Sequence, residues 1–192
     1  MNKIAIFGGS FDPVHKAHIQ ISKLVLETFN LKKLIFVVAY APPHKNKQYA
    51  GVKDRIEMLR LATKNLEHIE ISLYEAEKQS VVYSYQTLDY FQRTYPLSEI
   101  FMIIGSDSLI ELHAWENIDY LTSKYKFIVV KRSGICIDAA TKYLDRCIFV
   151  DKEIVDFSST LVRYYLKNDK AKASKMLCKD VYNYITENGL YR

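Results

Sequence analysis

Residues 7–18 read FGGSFDPVHKAH. An apolar run at 3–7 leads into this stretch and apolar residues at helical spacing follow it, which predicts a strand, a tight turn and a helix. The adjacent Gly8 and Gly9 allow a sharp turn and let a ligand approach the main chain closely. A helix that begins near His15 directs its unpaired N–H groups and the positive end of its dipole at the turn, so phosphate is the expected ligand.

Two histidines fall in the first turn of that helix. His15 and His18 are three residues apart and therefore share one face, where both imidazoles reach the same oxygens. Two other interpretations stay open. An HxxH pair can hold zinc, although the sequence offers no matching third and fourth ligands, and a buried histidine can simply satisfy a core hydrogen bond. We favour donation to phosphate oxygens.

The stretch resembles the first signature of the nucleotidyltransferases that carry HxGH, and most closely the GGxFDPxHxGH form of the nicotinate-mononucleotide adenylyltransferases. It departs at Ala17, where that family has glycine. Far along the chain, residues 157–163 read FSSTLVR, which is similar to the family's ISSTxIR. Three hydroxyls at a helix start are ordinary caps, but with Arg163 one turn inward they form a second anion-binding end. Two phosphate signatures in this order are more specific than either alone.

Composition limits the class of protein. The 192 residues are 49% hydrophobic and 26% charged, enough for one domain with a full core. The net charge of +5 is spread along the chain, so we expect an anion such as ATP, and no nucleic acid, as the partner. Cys136, Cys147 and Cys178 indicate neither disulfides nor zinc, which favours a reducing, cytoplasmic location. The sequence contains no run of about 18 apolar residues, and it predicts neither a signal peptide nor a membrane span.

Strands and helices are predicted to alternate. Buried strands are indicated by apolar runs at 34–39, 100–104, 126–131 and 147–150. A helix is predicted at 137–146, before the last of them.

The fold class is therefore α/β: a Rossmann-like open parallel sheet of roughly six strands, with helices on both faces and a small C-terminal helical cap. We expect a single domain, 1–192, with a parallel core at 1–156. Residues 157–192 form the helical part, which carries the second signature and a solvated lysine face.

A loop stiffened by two prolines, residues 41–45 (APPHK), leaves the second strand on the ligand side. The ordinary interpretation of Lys45 is a solvated lysine in a polar run. The resemblance to the family's PPHK segment implies that Lys45 reaches the ATP phosphates. On the helix that follows, Arg55 and Arg60 are predicted to lie on the solvated side, and we assign them no chemistry.

The segment 83–88 (YSYQTL) precedes an amphipathic helix, and Ser84 is expected as its N-cap. The resembling family has Y-T/S-x-D-T-L here, where Gln86 replaces Asp, and its backbone amides receive the pyridine carboxylate. The resemblance thus assigns Tyr83 and Ser84 to nicotinate mononucleotide. Trp115 lies among polar residues, where an indole can stack on a planar ring. The family's tryptophan stacks on the pyridine, and core packing is the alternative.

Two further residues follow predicted strands. Asp107, in Gly-Ser-Asp after the strand at 100–104, is either a helix cap or, by resemblance to the family's GxD, a contact to adenosine or its ribose. Arg132 ends the next strand in a segment close to the family's RPG, and it is either a surface charge or an ATP contact.

The resemblance implies transfer of AMP from ATP to nicotinate mononucleotide, with release of pyrophosphate. It assigns His15, His18, Lys45 and Arg163 to the reacting phosphates. It assigns ATP binding to Gly8, Gly9, Ser10, Phe11, Asp107, Arg132, Ser158, Ser159 and Thr160. Magnesium would bridge phosphate oxygens without a dedicated protein site.

Three functional hypotheses remain. The first is this pyridine-nucleotide transfer. The second is the same chemistry on another acceptor, nicotinamide mononucleotide or phosphopantetheine, and the third is a nucleotide or RNA sensor that does not react. The sequence also leaves the oligomeric state open, a homo-oligomer included.

Overall fold

The computed structural model describes residues 2–41, 48–132, 134–138, 141–150, 152 and 157–192. The strands in these ranges are β1 (Asn2–Gly9), β2 (Lys33–Val38), β3 (Ile69–Ser72), β4 (Ser98–Gly105), β5 (Lys126–Val130) and β6 (Cys147–Val150). The α-helices are α1 (Lys16–Phe29), α2 (Val52–Thr63), α3 (Tyr74–Lys78), α4 (Ser84–Thr94), α5 (Ser106–Ile110), α6 (Ile118–Lys124), α7 (Ser159–Asn168), α8 (Lys170–Met176) and α9 (Lys179–Glu187).

The strands form one parallel sheet in the order β3-β2-β1-β4-β5-β6. After β1 the chain builds outward through β2 and β3, then returns to the other side of β1 as β4. Open parallel sheets bind ligands beyond the carboxyl ends of the strands, where the strand order reverses. That point lies between β1 and β4, next to the FGGSFDP turn. The predicted Rossmann-like sheet of six parallel strands is confirmed.

Side chains alternate along each central strand between two apolar cores. Ala5 and Phe7 of β1 point to one face, and Ile4 and Ile6 point to the other. The first face, which we call the α1 face, is covered by α1, α2, α7, α8 and α9 through Val25, Met58, Leu59, Val162, Ala173, Val181 and Ile185. The second, the α4 face, is covered by α4, α5 and α6 through Leu88, Phe91, Leu109 and Leu121. Helices on both faces are thus confirmed.

The C-terminal helices have one apolar side and one basic side. Their apolar residues join the core of the α1 face. The lysines on the other side are exposed, as predicted: Lys167, Lys170, Lys172, Lys175 and Lys179. No helix in the described ranges combines the length and apolarity that a bilayer span requires.

The helix predicted at 137–146 is wrong for the residues that the structure describes there. Ile137 and Asp138 are irregular, and only Leu144–Arg146 forms a single 3-10 turn. Tyr143 adopts a left-handed backbone with φ of 66°, which an α-helix does not accept. Its ring packs against the core of the α4 face and its hydroxyl lies 3.3 Å from Oδ1 of Asp119. Tertiary contacts therefore override local helix propensity here.

Candidate active site

The first signature leaves β1 at Gly9 and enters α1 at Lys16. Phe11 has a left-handed φ of 48°, and this folds its ring back over Gly9. A Cβ at Gly9 would lie only 3.0 Å from that ring. Phe11 is 3% exposed and packs edge-on against Phe7 and Phe36. The Phe11 side chain therefore anchors the turn in the core, which leaves its backbone to face a ligand.

The two histidines of this signature are in contact. His15 is the N-cap of α1, and its ring stacks on that of His18 at a centroid distance of 3.7 Å. The backbone N–H of His15 donates to Nδ1 of His18 at 3.2 Å. Because Nδ1 accepts this bond, a neutral His18 carries its proton on Nε2. The predicted sharing of one helix face is confirmed, and His18 offers an N–H donor from Nε2.

His15 is electrically neutral at physiological pH. It is 2% exposed, and burial lowers its pKa to about 3, helped by the positive charge of Arg132. Its Nδ1 is buried without a hydrogen-bond partner among the described residues. An unpaired buried nitrogen is costly, and a ligand oxygen at this site would remove that cost.

The second signature packs directly on the first. Oγ of Ser158 caps α7 by accepting the N–H of Leu161 at 3.1 Å. Oγ of Ser159 donates to the carbonyl of Pro13 at 3.0 Å. The two helix starts are thereby joined across most of the chain.

Arg163 makes a second connection between the signatures. Its Nη1 donates to the carbonyl of Asp12 at 2.7 Å, 151 positions away in the sequence, and its Nη2 donates to Oγ1 of Thr160 at 3.0 Å. The guanidinium also lies 4.1 Å from the ring centre of Tyr49. Arg163 is held on the FDP segment, beside the turn that leads to the histidines.

The carboxylate of Asp12 connects three parts of the chain. Oδ2 accepts the N–H of Tyr49 at 2.8 Å, and Oδ1 accepts the N–H of Ala50 at 3.1 Å and the hydroxyl of Tyr191 at 2.7 Å. Asp12 is 4% exposed. Sequence reasoning assigned it no separate role, because its partners lie 37 to 179 positions away.

The prediction that Arg55 lies on the solvated side of its helix is wrong. Arg55 is fully buried. Nη1 donates to the carbonyls of Ser10 and Ala39 at 2.8 and 2.7 Å. Nη2 donates to Oε1 of Gln48 at 2.7 Å and to the carbonyl of Tyr40 at 3.2 Å. Arg55 therefore joins the backbone segments that follow β1 and β2.

A signal for this burial was present in the sequence. Arg55 lies three residues after Val52 and four before Leu59, which are the spacings of the apolar face of α2. The charge of arginine argued against a buried position. Carbonyl groups at the strand ends satisfy that charge, and they are not visible in a local pattern.

Asp107 and Arg132 meet at the carboxyl ends of β4 and β5. Nη1 of Arg132 lies 3.2 Å from Oδ2 of Asp107, and the backbone N–H of Arg132 donates to Oγ of Ser106 at 2.9 Å. The N-cap position of α5 belongs to Gly105, so Asp107 is not the cap that the alternative interpretation expected. A Cβ at Gly105 would lie 2.2 Å from Oδ1 of Asp107. The positive charge of Arg132 also helps to lower the pKa of His15.

The residues assigned to the pyridine lie on elements of the α4 face. Tyr83, and not Ser84, is the N-cap residue of α4, and Ser84 is the first helical residue. Oε1 of Gln86 accepts the N–H of Tyr83 at 3.0 Å, so the amide does at this position what a carboxylate would do. Trp115 is half-buried against the core of the α4 face, which agrees with the packing alternative for part of its ring.

A half-buried acid that sequence reasoning missed supports the same helix start. Oε1 of Glu75 accepts the hydroxyl of Thr87, in the first turn of α4, at 2.6 Å. Burial raises the pKa of Glu75 to about 6. Nothing in the polar segment around Glu75 indicates this contact.

The structure therefore brings together His15, His18, Arg132, Asp107, the Ser158–Thr160 turn and Arg163 at the carboxyl end of the sheet. Tyr83, Ser84 and Trp115 belong to elements on the other face. Lys45 lies outside the described residues.

Known proteins match this chain along its whole length. Residues 6–164 match the cytidylyltransferase-like family. The chain is 62% identical over 193 residues, with both chains fully covered, to a probable nicotinate-nucleotide adenylyltransferase of Endomicrobium trichonymphae. It is 35% identical over 201 residues, again with full coverage, to the protein of that name from Clostridium tetani.

Solved structures share the fold. The Plasmodium falciparum nicotinic acid mononucleotide adenylyltransferase, complexed with NaAD, superposes with a TM-score of 0.83 at 23% identity, covering 100% of this chain and 98% of its own. The family match at residues 6–164 spans both signatures, and the two relatives from Endomicrobium trichonymphae and Clostridium tetani share one name. The chain therefore belongs to the cytidylyltransferase-like family and, within it, to the nicotinate-nucleotide adenylyltransferases.

Proposed function

We propose that this site transfers AMP from ATP to nicotinate mononucleotide, which forms nicotinate adenine dinucleotide and pyrophosphate, a step of NAD biosynthesis. The observation that carries the proposal is the joining of the two signatures. The bonds from Ser159 to Pro13 and from Arg163 to Asp12 bring two helix starts to one place beside the stacked histidines. A triphosphate suits such a place, because both helix ends favour anions.

The chemistry asks little of the protein beyond alignment. The acceptor phosphate is already a nucleophile, so no serine, cysteine or general base needs activation. The site must hold that phosphate in line with the α-phosphorus of ATP and stabilise charge on the leaving pyrophosphate. Nε2–H of His18 and neutral His15 act as hydrogen-bond donors to phosphate oxygens, while Arg163 and Lys45 supply positive charge on the pyrophosphate side.

The remaining contacts divide between the two substrates. Gly8, Gly9, Ser10 and the backbone of Phe11 form the floor under the triphosphate, and the Ser158–Thr160 turn contacts it from α7. Asp107 and Arg132 bind the adenosine part.

Nicotinate mononucleotide binds on the side of the α4 face. Its carboxylate meets the unpaired N–H groups at the start of α4, next to Tyr83 and Ser84, where the helix dipole favours an anion over a neutral amide. Trp115 stacks on the pyridine ring.

Magnesium would be bound together with ATP, through the phosphate oxygens of the nucleotide. The carboxylate of Asp12 is taken by two N–H groups and a hydroxyl, and that of Asp107 is paired with Arg132. Because both carboxylates already have partners, the metal would be held mainly by substrate oxygens and water. When bound, the metal neutralises charge on the phosphates. The three free cysteines support a reducing, cytoplasmic setting.

One assay tests the function. Pyrophosphate release is measured with ATP, magnesium and one of three acceptors: nicotinate mononucleotide, nicotinamide mononucleotide or phosphopantetheine. We expect the highest kcat/KM with nicotinate mononucleotide. A preference for another acceptor would reassign the substrate, and tight ATP binding without turnover on any acceptor would indicate a sensor.

A variant pair in the same assay tests the role of the histidines. Removing one preorganised donor costs about 100-fold or more in turnover, so His18→Ala is expected to lose at least that much. His68→Asn is the control, because His68 is exposed at the amino end of β3 and its φ of 60° suits asparagine. A folded His18→Ala enzyme with near wild-type turnover would contradict the assignment.

A further inference from the structure

We propose that Tyr191, next to the carboxyl terminus, is a positioning residue for ATP: through Asp12 and Tyr49 it fixes the guanidinium of Arg163. This inference rests on the proposed function, since it concerns the affinity of the same site for its nucleotide. It gives the last turn of the chain a role in substrate binding in addition to its role in packing.

The side chain of Tyr191 is buried, and its hydroxyl has a hydrogen-bond partner. The residue is 7% exposed and belongs to the core of the α1 face. Its hydroxyl donates to Oδ1 of Asp12 at 2.7 Å. Burial and the Asp12 carboxylate raise its pKa, so the hydroxyl keeps its proton and remains a donor. The positive charges of Arg163 and Arg55 lower this pKa, but less than burial and Asp12 raise it.

The backbone is strained to reach this position. Gly189 has a φ of 62°, which glycine adopts at no steric cost, but Tyr191 also has a φ of 62°. A bulky residue in the left-handed region is strained, and this conformation persists only where its surroundings hold it. The chain therefore turns back after α9, and the hydroxyl of Tyr191 reaches Asp12 in the first signature.

From Asp12 the contacts continue to Arg163 by two routes. The carbonyl of Asp12 accepts Nη1 of Arg163 directly. The carboxylate of Asp12 also holds the N–H of Tyr49, and the ring of Tyr49 lies 4.1 Å below the guanidinium. The contacts among Asp12, Tyr49 and Arg163 therefore close a ring, and Tyr191 is attached to it through Asp12. A shift of Asp12 displaces Arg163 both directly and through Tyr49.

A purely structural role for Tyr191 makes a different prediction. In that case the hydroxyl only satisfies a buried carboxylate, and its loss lowers stability without a specific effect on ATP. The chain offers a matched control. Tyr184, on α9, donates to Oδ1 of Asp54 at 2.9 Å, a bond of the same type that ties the same part of the chain to α2. Tyr184 contacts neither signature segment through that bond.

The test compares Tyr191→Phe with Tyr184→Phe. Both changes remove one hydroxyl and keep the ring. ATP dissociation constants are measured by calorimetry without acceptor, and KM for each substrate is measured at a temperature where circular dichroism shows both variants folded. We expect Tyr191→Phe to weaken ATP binding about tenfold, because the fraction of molecules with Arg163 held in its binding position falls by about that factor. KM for nicotinate mononucleotide stays within about twofold, and Tyr184→Phe leaves both constants at wild-type values.

A second measurement tests the route through Arg163. If Tyr191 acts by holding Arg163, then Tyr191→Phe in an Arg163→Lys background adds less than about twofold to the loss of ATP affinity, because the two changes act on one contact. Full additivity would overturn the route. Unchanged ATP binding in Tyr191→Phe, or equal weakening for both substrates, would overturn the proposal. Because ATP binding is measured without turnover, these outcomes are distinct from a failure of wild-type protein to form the dinucleotide.

Discussion

Replacing Arg55 by methionine removes a buried guanidinium and keeps a side chain of similar length. Two nitrogens of Arg55 bind the carbonyls of Ser10, Ala39 and Tyr40 and the amide oxygen of Gln48. Methionine fills much of the same space with an apolar chain that donates no hydrogen bond. All four acceptors then lose this donor at once, and the segments after β1 and β2 lose their common partner.

The expected cost is large for a single residue. Hydrogen bonds to a charged group contribute about 1.5–3 kcal/mol each. The desolvation of the guanidinium, which lowers the pKa of Arg55, offsets part of their sum. Leaving a buried acceptor without its donor costs about 1–3 kcal/mol, and four acceptors lose theirs. We therefore expect Arg55→Met to lower the free energy of unfolding by about 4 kcal/mol, a large share of the roughly 5–15 kcal/mol of a typical domain.

Urea unfolding followed by circular dichroism measures this change, as a lower midpoint at unchanged slope. Arg60→Met on the same helix is the control. Arg60 is 57% exposed and only 3.6 Å from Glu57 in an i,i+3 pair, so its loss is expected to cost about 0.5 kcal/mol or less. A cost below about 1 kcal/mol for Arg55→Met would refute the reasoning, because the four bonds would then contribute almost nothing.

Two further predictions concern stability. Burial raises the pKa of Glu75 to about 6 from 4.5. The folded state therefore binds this proton more tightly than the unfolded state does. The resulting stability is present below pH 4.5 and is lost as the pH rises through 6. Relative to Glu75→Gln, the wild type should therefore lose about 2 kcal/mol between pH 4.5 and 7 in urea unfolding, and parallel curves would contradict the raised pKa. Gly9→Ala places a methyl group 3.0 Å from the buried ring of Phe11 and should lower the free energy of unfolding by about 1–3 kcal/mol. Gly8→Ala is the control and should cost clearly less, because the added methyl group meets only Met102 at 3.7 Å. Equal costs in the same assay would show that the turn has room for a methyl group at Gly9.

Local patterns carried much of the fold. Apolar runs such as 100–104 and the turn at Gly8-Gly9 predicted the parallel sheet, because a strand buried on both faces leaves an unbroken apolar run. The two signatures predicted the site, since helix starts that bind anions need particular residues at fixed spacing. That the two signatures meet followed from the resemblance, and the bond from Arg163 to the carbonyl of Asp12 is one of the contacts that join them.

The features that the sequence did not predict depend on distant partners. Arg55 is buried because carbonyl groups from two other segments surround it. The hydroxyl of Tyr191 finds Asp12 across 179 positions, and Tyr143 leaves helical geometry where its ring joins the core of the α4 face. Periodicity describes neighbours along the chain and contains no information on such contacts.

The central claim is that the starts of α1 and α7 bind one triphosphate. A crystal structure of this chain with magnesium and an ATP analogue that cannot be hydrolysed tests it most directly. We predict phosphate oxygens of a single nucleotide within about 3.2 Å of both Nε2 of His18 and the guanidinium of Arg163. A nucleotide that contacts only one of these two side chains, or phosphates bound away from both helix starts, would contradict the account.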